Sequence, residues 1–155
     1  MSKHHRNRNW APAPQPLPED AHVIDNHTHV ASVVPFSQAM SHEAMEKGQG
    51  EVPVYSVDEL LEQAQKVGVE GVIDCGCELP NLMTAIDMAR EHPGTVHAAI
   101  AIHPNEAVLH GHRGAPGPDG LPIKYKPWHD IPFDEAMAEV HRLATTYPNQ
   151  VVAIG

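Results

Sequence analysis

The stretch Val23-Ile24-Asp25-Asn26-His27-Thr28-His29-Val30 decides how the rest of the chain is read. A short apolar run ends there in Asp-x-His-x-His. Side chains along a strand alternate between faces, so the pattern predicts Asp25, His27 and His29 on one face. Two imidazoles side by side at a strand end can take hold of one divalent ion. Histidine is the commonest metal ligand, and carboxylates complete such sites. Two free rings on one strand face would be costly to bury without a partner. His27 and His29 are therefore the candidate metal ligands, with Asp25 as a supporting carboxylate or a direct ligand.

Outward from this strand the chain alternates apolar runs with helical periods. Val23 to Asp25 is the first predicted strand. Ala31 to Tyr55, rich in Ser, Met, Gly and Pro, reads as a long loop with some helix. Ser56 followed by Glu59 is a capping box, and Leu60, Leu61, Ala64 and Val67 share the face of the helix it opens. Gly68 closes that helix. Val69 to Asp74 is the second strand. Pro80 suits a first helical turn, and His92-Pro93-Gly94 stops the helix it begins. Val96 to Ile102 is a third strand. A Gly/Pro-rich insertion runs from His110 to Pro132. Phe133, Met137, Val140 and Leu143 predict another amphipathic helix, and Val151 to Ile154 a fourth strand.

This order is that of a parallel α/β sheet. Both an open doubly wound sheet and part of a (β/α)8 barrel fit it. A whole barrel takes about 250 residues, more than the 155 present.

Composition narrows the function. Apolar residues make up 41%, enough for one domain with a core. The formal net charge of −10 argues against nucleic-acid binding by broad phosphate neutralisation, so local charge or bound metal would have to do that work. Cys75 and Cys77 are the only cysteines and are too close to staple a fold. No apolar run spans a membrane and none follows the basic N-terminus as a signal would, so the expected location is cytoplasmic. Residues 1–21 form a polar, Pro-rich tail expected to be disordered, with His4 and His5 solvated.

The second chemical signal is Ile102-His103-Pro104-Asn105-Glu106. His103 falls at the carboxyl end of a strand, where parallel sheets present active-site residues. It reads equally as a turn histidine fixed by Pro104. Glu106 reads as a substrate contact or as a helix cap. Cys75-Gly76-Cys77, at the end of the second strand, reads as small buried residues in preference to zinc ligands. His110-Gly111-His112 repeats the His-x-His spacing in a Gly/Pro loop, and the expectation there is surface residues. His129, beside Trp128, reads as a residue at the rim of a cleft, and the group of Tyr125, Trp128 and His129 as a stacking surface for a base or, more simply, as loop packing. His97 and His141 need no special role.

Three motifs in order resemble those of TatD-family metal-dependent hydrolases: Ile24-Asp25-Asn26-His27-Thr28-His29, then Ile102-His103-Pro104, then Val151-Val152-Ala153-Ile154-Gly155. Gly71-Val72-Ile73-Asp74 and the helix from Asn81 to Glu91 match the family layout as well. The resemblance covers about Val23 to Gly155. It implies the N-terminal half of a TIM-type (β/α)8 barrel of amidohydrolase-like architecture in residues 22–155. It implies divalent-metal hydrolysis of phosphodiester bonds, often as a deoxyribonuclease, with Mg²⁺, Mn²⁺ or Zn²⁺ and two ions in the complete protein. His27 and His29 would bind one metal, and the catalytic His103 would hold or polarise the phosphate. Asn105 departs from relatives that carry a second His there.

The resemblance also implies further ligands, a Glu after the Ile-Gly of the fourth strand, two histidines and an Asp, that have no counterpart here. The expectation is a partial barrel truncated after its fourth strand, inactive alone. A longer parent would act on DNA or a small phosphoester and would not engage a membrane. A second enzyme reading is another amidohydrolase-like activity, on a small ester or amide, which the same metal site would serve. The alternative from another class is a self-contained open α/β module that binds metal or ligand without turnover.

Overall fold

A computed structural model describes residues 18, 20–49, 52–118, 120 and 122–155. The Pro-rich tail, with His4 and His5, lies almost wholly outside the described residues. Four strands, β1 (Val23–Thr28), β2 (Val69–Gly76), β3 (Val96–Ile100) and β4 (Val151–Ile154), form one sheet. They pair in parallel in the order β1-β2-β3-β4.

Strand order equal to chain order is informative. Crossovers between parallel strands are right-handed almost without exception. Repeating that step in one direction puts every crossover helix on the same side of the sheet. Burial along β3 agrees: Val96, Ala98 and Ile100 are buried while His97 and Ala99 between them are half-exposed. The sheet is therefore wound in one direction, as successive strands of a (β/α)8 barrel are, and not doubly wound.

The covered face carries the core. Helix α3 (Leu79–Glu91) lies on β2 and β3, and helix α5 (Phe133–Thr146) packs beside it. Leu82, Ala85 and Ile86 of α3 meet Val72, Val96, Ala98 and Ile100 of the strands, with Ala136, Val140 and Leu143 from α5. Leu82, Ile86 and Ile100 are fully buried, each contributing about 1.5–3 kcal/mol. Gly76 lets α3 approach, because a Cβ there would lie 2.7 Å from the Asn81 carbonyl oxygen. Helix α2 (Val57–Lys66) starts on the predicted capping box: Ser56 Oγ accepts from the Glu59 N–H, and Glu59 Oε2 accepts from the Ser56 N–H at 2.8 Å.

One expected loop is largely a helix. Helix α1 covers Val30–Glu46. Its local signals are weak, since no side chain of its own caps it and Pro35 sits inside it. Pro35 lacks the N–H that would bond the Ala31 carbonyl. Two things compensate. Val30, Ser37 and Ala44, each two turns apart, form a buried seam. Asp74 of β2 then supplies the missing cap, its Oδ1 accepting from the Ala31 N–H at 3.4 Å. Boundaries shift elsewhere. β1 and β2 run longer than expected, to Thr28 and Gly76, and β3 stops at Ile100 where Ile102 was expected.

Candidate metal centre

The histidine motif straddles the carboxyl end of β1. His27 belongs to the strand, and His29 is the N-cap residue of α1. Strict alternation does not hold here. Asp25 pairs with Val72 and Thr28 with Asp74, so three steps on β1 face two on β2. This irregularity corrects the expectation that Asp25, His27 and His29 simply share one face. The two rings nonetheless meet, 5.2 Å apart between centroids and edge to face at 83°. Both are exposed. Asp25 works locally, its Oδ1 accepting from the His27 backbone N–H at 3.2 Å.

The end of β2 holds the surrounding pieces through its backbone. His29 Nδ1 lies 3.1 Å from the Cys75 carbonyl oxygen. A carbonyl only accepts, so Nδ1 carries the proton and Nε2 keeps its lone pair. This is how proteins orient a metal-ligating histidine. Two residues on, the Cys77 carbonyl accepts from the His103 backbone N–H at 2.9 Å. Cys75-Gly76-Cys77 thus spaces the two histidine-bearing segments with its carbonyl groups. Its thiols do not suit a metal. Both are free, and burial pushes both up from the ordinary thiol range, disfavouring the thiolate that a metal needs.

His103 follows β3 and N-caps a single turn, α4 (Pro104–Ala107). Its Nδ1 accepts from the Asn105 backbone N–H at 3.1 Å. The neutral ring therefore carries its proton on Nε2. His29 and His103 are set in opposite tautomers, one offering a lone pair and the other an N–H.

A cleft of about 370 Å³ opens beside His29, between the first turns of α1 and α3. Ser32, Asp74, Cys75, Cys77 and Asn81 are among its lining residues. Asp74 is the residue that sequence reasoning missed. It is 2% exposed, and burial raises its carboxyl above the usual range, opposed by the Ala31 and Val30 N–H groups and by nearby His29. Nothing local in Gly71-Val72-Ile73-Asp74 signals a cap for a helix 43 residues earlier.

The insertion departs most from expectation. His112 is exposed as expected, but His110 is 1% exposed. Its Nδ1–H donates to the Ile131 carbonyl at 2.8 Å, which draws the two ends of the insertion together. His129 lines no rim. It is completely buried, with Nε2 2.5 Å from Glu106 Oε2 and Nδ1 accepting from the Lys126 N–H at 3.0 Å. Tyr125 and Trp128 each pack edge on against His129, the simpler of the sequence readings. Glu106 turns inward, and it is His103 that caps α4. Its buried carboxylate is held by His129 and, at 3.4 Å, by Trp128 Nε1.

Among the described residues, no three His, Cys, Asp or Glu side chains cluster as a metal site. Nor is any helix there long and apolar enough to cross a membrane. The family model described as TatD related DNase matches residues 24–155. The chain belongs to that family, whose members are metal-dependent hydrolases. No curated protein and no solved structure matches the chain.

Proposed function

We propose that this chain is a phosphodiester hydrolase of the TatD type, acting on DNA or a small phosphoester. In this reading His27 and His29 hold a divalent ion (Mg²⁺, Mn²⁺ or Zn²⁺), and His103 donates Nε2–H to the phosphate. The observation that carries it is the His29 tautomer. His29 Nδ1–H donates to the Cys75 carbonyl, which leaves Nε2 free, beside a second imidazole and a cleft. When bound, the ion supplies Lewis-acid charge to a phosphoryl oxygen. His103 suits the complementary task, since Asn105 occupies its Nδ1 and the ring has an N–H to offer. The acidic chain would draw a polyanion only locally, through the ion and such donors. A cytoplasmic location belongs to the same reading.

Catalytic metal sites usually carry about three protein ligands, and two histidines fall short of that. The proposal therefore includes weak metal binding and negligible DNA cleavage by the 155-residue polypeptide itself. The further ligands, and a second ion, would come from outside the described residues.

Calorimetric titration with Mn²⁺ or Zn²⁺, beside a DNA-cleavage assay, tests both parts. Metal affinity should fall at least about tenfold in the His27→Ala/His29→Ala variant. It should also weaken as the solution is acidified, because protons compete with the metal for ligand histidines. Binding unchanged in that variant sinks the ligand assignment. Robust Mg²⁺- or Mn²⁺-dependent cleavage that the variant loses keeps the hydrolase and overturns the incomplete site.

A further inference from the structure

We propose that His129 and Trp128 of the insertion act through Glu106 as positioning residues for His103. The inference rests on reading His103 as the phosphate-facing donor. It starts from α4, which is a single turn of four residues. Helices this short have no stability of their own. Yet the state of His103 depends on that turn. The Asn105 N–H occupies its Nδ1 at 3.1 Å, and its carbonyl accepts from the Glu106 and Ala107 N–H groups, each at 2.8 Å. If the turn loosens, the Asn105 amide leaves Nδ1 and the ring is free to change tautomer.

The insertion grips this turn from the other side. Glu106 Oε2 accepts from His129 Nε2–H at 2.5 Å and from Trp128 Nε1–H at 3.4 Å. The assignment of that proton follows from Lys126, whose backbone N–H points at His129 Nδ1 and leaves only Nε2 to donate. His129 is itself immobilised. The Gly111 N–H donates to its carbonyl at 2.9 Å, and the rings of His110, Tyr125 and Trp128 meet it edge on. Lys126 then reaches Glu78 at 2.7 Å, just before α3, and ties the insertion to the wall of the cleft. A segment that reads as a Gly/Pro-rich surface loop thus fixes the one turn that sets the His103 proton.

The imidazole nitrogens of the full 155-residue chain, labelled with ¹⁵N and read by long-range ¹H–¹⁵N spectra, test this without any catalysis. Failure of the hydrolase reading is therefore separable from failure of this one. Wild type should show His103 protonated on Nε2. His129→Ala and Glu106→Ala should raise the Nδ1–H fraction about two- to tenfold, the change in equilibrium that one lost hydrogen bond carries. Glu106→Gln keeps an acceptor for His129 Nε2–H and should restore the wild-type state. Backbone amides of β3 should not move in any variant. If His129→Ala unfolds the chain, Trp128→Phe decides, since it removes one donor and should shift the tautomer in the same direction by less. A His103 that keeps its wild-type tautomer in the folded variants overturns the proposal.

Discussion

Two histidine pairs in this molecule have nearly the same geometry and opposite fates. His27 and His29 meet edge to face at 5.2 Å and 83°, and His110 and His129 at 5.4 Å and 80°. The first pair is exposed at a strand end, and His29 keeps Nε2 free. The second pair is buried, and both nitrogens of His129 have internal partners. His110 Nε2 is the one buried side-chain polar atom without a partner among the described residues. An orphan of that kind costs about 1–3 kcal/mol. Ring proximity therefore does not define a metal site. The number of lone pairs left over after the protein's own hydrogen bonds is the better criterion.

The comparison breaks first at His129. Replacing it with Ala leaves the Glu106 carboxylate buried and short of a donor, and should destabilise the chain by about 3–5 kcal/mol. A urea midpoint within error of wild type would mean that the buried pair holds nothing together. The exposed pair should respond in the opposite way. His27→Ala/His29→Ala should change stability by no more than about 0.5 kcal/mol, while metal affinity falls at least about tenfold, or about 1.4 kcal/mol. A large loss of stability there would make the first pair structural too.

Ser56→Ala, remote from both pairs, sets the scale of an ordinary local contact at about 1 kcal/mol. Its partner Glu59 has a carboxyl held below the usual range by the Ser56 N–H and hydroxyl. The stability it adds is present above the unfolded-state value and is lost as pH falls through the lowered one. The wild type should exceed Ser56→Ala at every pH, because the hydroxyl cap on the Glu59 N–H does not titrate, and by somewhat more near neutrality, where the hydroxyl's bond to the Glu59 carboxylate is added.

The smallest effect sharpens the comparison at its edge, where Asp74 stands beside His29. Burial raises its folded-state pKa, so between the unfolded value and the raised one the native chain binds the proton more tightly than the unfolded chain does. Its contribution to stability therefore falls as pH rises from the usual carboxylate range to the raised value. Asp74→Asn keeps an acceptor for the Ala31 N–H and carries no charge. In metal-free protein it should remove that slope and leave stability at neutral pH equal to wild type or slightly higher. A clear loss at neutral pH would show that the charge itself caps α1.

How much was legible depended on the range of the interaction. Ser56 and Glu59 lie three residues apart, and their capping box was read correctly from the chain alone. The alternating strands, α3 opened by Pro80, and α5 were legible for the same reason, since each is a local period. Helix α1 was not legible, because its cap comes from Asp74, 43 residues away. The burial of His129 was not legible either. Its partner Glu106 is 23 residues distant, across a segment whose Gly and Pro content suggests only a surface loop.

By itself the sequence determined the parallel α/β order and the family, and it nominated the three histidines of the proposed site, because strand period, capping and motif spacing are written in neighbouring residues. The tertiary structure decided which histidine nitrogens are available. That depends on which backbone groups end up opposite each ring: the Cys75 carbonyl for His29, 46 residues on, and the Asn105 N–H for His103. A lone pair is free or spent only after the chain has folded around it.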